Sequence, residues 1–168
     1  FQPVGKTRIE QNAYQIGVAG LTYGGKPAVA ATFMKVAPEE AKPQFTGHGV
    51  SVYYRDGAEW KSRRVVKLLA APPIETQGIG AGDIDGDGLD DIVWADDGKG
   101  KLRVFFQTPE GGFEELTEEE QPALLNKTMS VRVADVDRDG KNDIVLMFEY
   151  ASSSRTKNGG LRFFRNLR

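Results

Sequence analysis

The chain has 168 residues, 22 Lys plus Arg against 24 Asp plus Glu, and no cysteine. Near-neutral charge gives no electrostatic footing for nucleic acid or an anionic membrane surface, and the missing cysteines exclude disulfides, zinc–thiolate centres and covalently attached haem. No apolar run is long enough to span a bilayer, whereas the length suffices for one domain with a real core.

In chain order, Phe1 in place of Met reads as the start of a mature or excised segment. Residues 1–9, with Pro3-Val4-Gly5-Lys6-Thr7-Arg8-Ile9, read as an orphan fourth strand ahead of the first repeat, one that would complete a blade. Residues 10–70 hold strand-like stretches at Ile16–Gly20, Ala28–Phe33, Gly49–Arg55 and Trp60–Val66. A loop at Tyr23-Gly24-Gly25-Lys26-Pro27 and a long connection, Lys35–His48, separate the first three; Gly57 marks the turn before the fourth. Residues 74–121 repeat the plan with Ile79–Gly82, an acidic loop at Asp83–Asp91, Ile92-Val93-Trp94, Leu102–Phe106 and Phe113–Leu116. The stretch Leu116–Leu125 reads as a helical turn before Pro122. Residues 126–168 repeat it again, with an acidic loop at Asp135–Asp143, Ile144-Val145-Leu146, a polar connection at Ala151–Gly160, and Leu161–Phe164. No fourth strand follows there.

The two acidic loops carry the chemistry. Asp83, Asp85, Asp87 and Asp91 stand at positions 1, 3, 5 and 9 of one, and Asp135, Asp137, Asp139 and Asp143 at the same positions of the other. Glycine fills position 6 in both, as Gly88 and Gly140, where the chain must turn sharply. Four carboxylates within nine residues repel one another unless a hard cation neutralises them, and oxygen-only ligands on a flexible loop favour calcium. An EF-hand is excluded, because position 12, where a bidentate glutamate belongs, is Trp94 or Leu146 on a strand pattern.

The aspartate at position 9 running into Asp-Ile-Val resembles the calcium loops of FG-GAP/VCBS repeats, the family that includes integrin α-like propeller blades. That resemblance implies a ligand set of Asp83, Asp85, Asp87 and Asp91 with the Leu89 carbonyl in the first loop. In the second it implies Asp135, Asp137, Asp139 and Asp143 with the Lys141 carbonyl, and hence two Ca2+ per chain. Arg138 stands where the first loop has Gly86, a departure from the pattern. Asp90 matches Asn142 and is expected to point outward.

The expected architecture is all-β: β-propeller blades of four antiparallel strands, about three in this chain. The first, with no aspartate in its loop, is expected to bind no metal. Three blades cannot close a ring, so a homodimer, an additional propeller-forming chain, or a longer protein of which this is a fragment would complete the partial propeller. Catalysis has little footing. His48 is the one histidine, in a Pro/Gly-rich connection, and reads as a solvated loop residue; no triad, nucleophile elbow or phosphate loop occurs. The expected role is a non-catalytic, calcium-stabilised module for extracytoplasmic protein or carbohydrate binding and adhesion, with a glycan or protein ligand. The alternative is an accessory half-propeller segment of a larger exported enzyme or surface complex whose chemistry lies on other chains.

Overall fold

The computed structural model describes residues 13–37, 45–66, 78–96, 99–124, 127–150 and 158–167. Among them there is no helix, and all eleven strands fall into three antiparallel sheets, none closed into a barrel. The first sheet is β1 (Ala13–Tyr23), β2 (Lys26–Val36), β3 (Phe45–Asp56) and β4 (Glu59–Arg64), paired in chain order. The second is β5 (Ile79–Gly82), β6 (Asp91–Asp96), β7 (Lys101–Gln107) and β8 (Phe113–Glu115), also in chain order. The third is β9 (Lys127–Ala134), β10 (Asp143–Tyr150) and β11 (Asn158–Phe164). This is the all-β, partial-propeller arrangement expected from the repeats. The expected strand at 1–9 and the polar connection at 151–157 lie outside the described residues.

The near-continuous apolar runs have a direct cause. Sheet two lies between the other two, so every residue of β6 is buried and alternate side chains serve different cores. Ile92 and Trp94 join Val50 and Val52 of the first sheet in one cluster. Val93 and Ala95 join Val131, Ile144 and Leu146 of the third sheet in the other. The paired aromatics divide similarly: Phe105 is buried in the first cluster, and Phe106 packs from the edge against the second.

Contact between the innermost strands, β1, β5 and β9, depends on glycine. A Cβ on Gly80 would sit 3.2 Å from the Val131 backbone, and one on Gly82 would sit 2.7 Å from Val133 Cγ1. Neither would fit without separating the strands.

Some local expectations need correction. The loop Tyr23–Pro27 is a two-residue turn: Gly24 and Gly25 take φ of 55° and 72°, as a tight hairpin requires. Lys26 and Pro27 already pair with Tyr23 and Thr22. The third strand of the first sheet begins at Phe45 and takes in His48, which is therefore a buried sheet residue, only 4% exposed, and not a loop residue. The turn before Pro122 is a single hydrogen-bonded turn, with Gln121 N donating to Thr117 O at 3.1 Å, and not a helix. Beyond it, Leu102 N donates to Pro122 O and Leu124 N to Gly100 O, both at 2.8 Å, so the chain returns to the edge of β7.

The outer face of sheet three is open. Met147 and Leu161 face each other across β10 and β11, as do Val145 and Phe163. Met147 is 47%, Leu161 60% and Phe163 58% exposed. The same cross-strand pairs in sheet two are Ala95 with Leu102 and Val93 with Val104, all buried against sheet three.

Candidate metal centres

Each acidic loop joins the first two strands of its sheet, between β5 and β6 and between β9 and β10. Local hydrogen bonds fold it. In the first, the Asp83 carboxylate accepts from Gly86 N at 2.7 Å and Gly88 N at 2.9 Å. Asp85 accepts from Asp87 N at 3.2 Å, and Asp87 from Leu89 N at 2.8 Å. The second loop follows the scheme with one change: Asp135 accepts from Gly140 N and from Asp139 N, one position beyond the counterpart of Gly86 N, while Asp137 accepts from Asp139 N and Asp139 from Lys141 N. Positive φ at Gly86 (82°), Gly88 (86°) and Gly140 (88°) aims these N–H groups inward. Arg138 adopts φ 63° at the position of Gly86, the only non-glycine in the left-handed region among the described residues. A side chain there is strained by about 1 kcal/mol.

The last aspartate of each loop is the buried anchor. Asp91 is fully buried and accepts from Ile84 N at 2.8 Å and Gln107 N at 2.9 Å. Asp143, 1% exposed, accepts from Val136 N at 3.2 Å and Asn166 N at 2.9 Å. Carboxylate oxygens of Asp83, Asp85 and Asp91 lie within 4.8 Å of one another, as do those of Asp135, Asp137 and Asp143. Asp87 and Asp139 fall outside these tight groups. Leu89 and Lys141 offer N–H groups to Asp87 and Asp139. Three converging hard oxygens, one of them buried, form a donor set that fits a hard divalent cation such as calcium. The loops could hold a metal on this chemistry.

The electrostatics of the two centres differ. Burial pushes the Asp91 carboxyl up to about 6; the N–H donors of Ile84 and Gln107 oppose this, while the charges of Asp85 and Asp87 add to it. The Asn166 N–H, with help from the Arg165 charge, holds Asp143 below the usual carboxylate range. Arg165 accounts for part of the contrast: its Nε lies 2.7 Å from Asp137 and its Nη2 3.3 Å from Asp139. The residue at its place in sheet two is Phe106, by the pairings Ile92–Phe105 and Ile144–Phe164.

The raised value at Asp91 has a consequence with a definite sign. Its folded pKa lies above the unfolded value of about 3.9, so its contribution to stability is complete at low pH and is lost as pH rises through about 6. In chelator, wild type should therefore lose stability relative to Asp91→Asn between about pH 4 and about pH 7, by up to roughly 3 kcal/mol. Paired urea titrations of the two proteins across that range check it; a constant difference would count against a buried, uncompensated carboxylate.

Sequence reasoning missed two groups. Gln107 is the last residue of β7 and Asn166 lies two residues past the end of β11, and each holds the last aspartate of its loop by its N–H. The repeated run Phe105-Phe106-Gln107 against Phe164-Arg165-Asn166 carried the signal. Asp90, expected to point outward, instead accepts from Thr22 N at 2.6 Å in the neighbouring sheet. The other missed group is a buried polar chain: His48 Nε2 lies 3.5 Å from Asp96. Arg103 joins Asp96 at 3.3 Å and Glu115 through two contacts of 2.6 and 2.7 Å. This chain ties the first sheet to the second.

No curated protein matches the chain. Residues 83–146, which run from the first aspartate of one loop through the whole of the other into β10, match the family model described as FG-GAP-like repeat. That stretch of the chain, both candidate centres included, is similar to FG-GAP-like repeats.

Proposed function

We propose that the chain is a non-catalytic β-propeller module, stabilised by two calcium ions, that binds protein or carbohydrate outside the cytoplasm. The observation that carries the calcium reading is the pair of loops with closely similar hydrogen-bonding schemes, each converging three carboxylates at the base of a hairpin. The ligands would be Asp83, Asp85, Asp87, Asp91 and the Leu89 carbonyl in one, and Asp135, Asp137, Asp139, Asp143 and the Lys141 carbonyl in the other. Calcium there would neutralise carboxylates that otherwise repel, pinning the first two strands of each blade. Ligands of this kind fill mainly where calcium is plentiful, which supports a site outside the cytoplasm. No helix among the described residues is long and apolar enough to cross a membrane.

The open face of Met147, Leu161 and Phe163 supports a partner that supplies further blades, because its counterpart in sheet two is covered by the next sheet. A second copy of the chain or another propeller-forming chain would meet the need. The same face favours the second reading, an accessory half-propeller of a larger exported enzyme or surface complex. Native mass spectrometry of the purified chain in calcium distinguishes these. The module reading expects two calcium ions per chain and a homodimer; a monomer without bound metal would remove its support. A glycan array with and without calcium then tests the ligand class.

A further inference from the structure

We propose that Asn142 and Asn166 couple the two acidic loops, so that a cation bound in one raises the affinity of the other. The inference rests on the calcium reading above and concerns how the two sites communicate. Asn142 Nδ2 donates to the carbonyl of Asp83 at 2.8 Å. Asn166 Nδ2 donates to the carbonyl of Ile84 at 2.6 Å and to that of Asn142 at 3.1 Å. Positions 1 and 2 of the first loop are thus gripped by side chains that flank β10 and β11 of the third sheet. Those same residues set the last aspartate of the second loop: Asn142 precedes Asp143 in the chain, and Asn166 N donates to its carboxylate at 2.9 Å. In the first loop the gripped residues are also part of the site, since Asp83 is in the carboxylate group and Ile84 N holds Asp91.

The linkage is short and stiff. Between Asp143 of one centre and Asp83 of the other stand one amide side chain and one peptide unit. The strands that carry them leave no room to slide, with Gly82 directly against Val133. Ordering the second loop around a cation fixes Asn142 and Asn166, and that fixes the backbone from which Asp83 and Asp91 are presented. Part of the ordering cost of the first loop is then already met, which is positive cooperativity. By linkage the effect is reciprocal.

An internal comparison separates coupling from simple blade registry. The same clasp joins sheet two to sheet one: Gln107 Nε2 donates to Thr22 O at 3.0 Å and Asp90 O at 2.8 Å, and Asp90 accepts from Thr22 N. There it grips the Gly24-Gly25 turn, which carries no carboxylate. The clasp as such holds neighbouring blades; only the copy built on Asn142 and Asn166 has a candidate centre at both ends. Asn142 and Asn166 are therefore positioning residues for the first centre.

The test is calorimetric titration of calcium into metal-free, full-length protein. Asp135→Asn with Asp137→Asn disables the second loop, and the affinity of the first is compared with wild type. The proposal expects about a fivefold or greater loss at the first loop, shrinking to less than about twofold when the comparison is repeated in Asn166→Ala. Asn142→Ala serves as the second background should Asn166→Ala fail to fold, and Gln107→Ala should leave the coupling intact. Two calcium ions bound with a first-loop affinity indifferent to the second loop would overturn the coupling while leaving the calcium reading standing. No calcium bound by wild type would overturn that reading and the coupling with it. Coupling that persists in both asparagine variants would overturn their assignment.

Discussion

Chelating divalent ions from the purified chain should lower its melting temperature by on the order of 10 °C. A ligand at a hundredfold excess over its Kd stabilises the folded state by about 2.7 kcal/mol per site, so two sites give roughly 5 kcal/mol. Each kcal/mol shifts the midpoint of a chain this long by about 2–4 °C. The structure gives a reason to expect the full effect. Asp91 and Asp143 are buried at the base of their loops, close to two further carboxylates each, and Asp91 has no cationic group among the influences that set its charge. Removing an ion bound there would leave that charge uncompensated. Differential scanning calorimetry in calcium and in chelator, with metal content measured beforehand, makes the comparison; an unchanged midpoint in verified metal-free protein would end the idea that the loops are staples.

Trp94→Ala should cost about 3–5 kcal/mol, a large share of the stability of a typical domain. Trp94 is fully buried among residues of both the first and second sheets. His48 meets its ring edge-on at 5.6 Å between centroids, and the Arg103 guanidinium lies 5.2 Å from its ring centroid. Truncation would open a cavity beside the buried Asp96–Arg103 pair, which depends on that packing to stay dry. Urea unfolding should show the midpoint falling, with Trp94→Phe losing much less. A loss below about 1 kcal/mol would mean that sheets one and two are not held together where the packing says they are.

What the sequence disclosed and what it hid divide along one line. The acidic loops were legible because spacing, glycine and the following strand all lie within a dozen residues. Strands such as Ile92–Ala95 were legible because a sheet buried on both faces needs an unbroken apolar run. Arg138 was flagged by substitution alone, and its φ of 63° bears that out. The part that Gln107, Asn166 and Asp90 play in joining neighbouring sheets was hidden because their partners there lie 85, 82 and 68 positions away, where no local pattern reaches. His48 was misplaced because the prolines and glycines nearby suggested a loop, whereas β3 begins at Phe45 and carries it inward.

Such repeats look like interchangeable bricks, yet the glycines of β5 make them directional. Gly80 and Gly82 accept Val131 and Val133 against bare backbone, so beside these valines neither place on β5 has room for a side chain. By the pairings Gly82–Asp91 and Ala134–Asp143, a gene in which units two and three changed places would set Arg132 and Ala134 at the places of Gly80 and Gly82, where a Cβ meets the neighbouring strand. Shuffling of this array is thus limited by steric grammar where its innermost strands meet, away from the acidic loops that make the copies look alike.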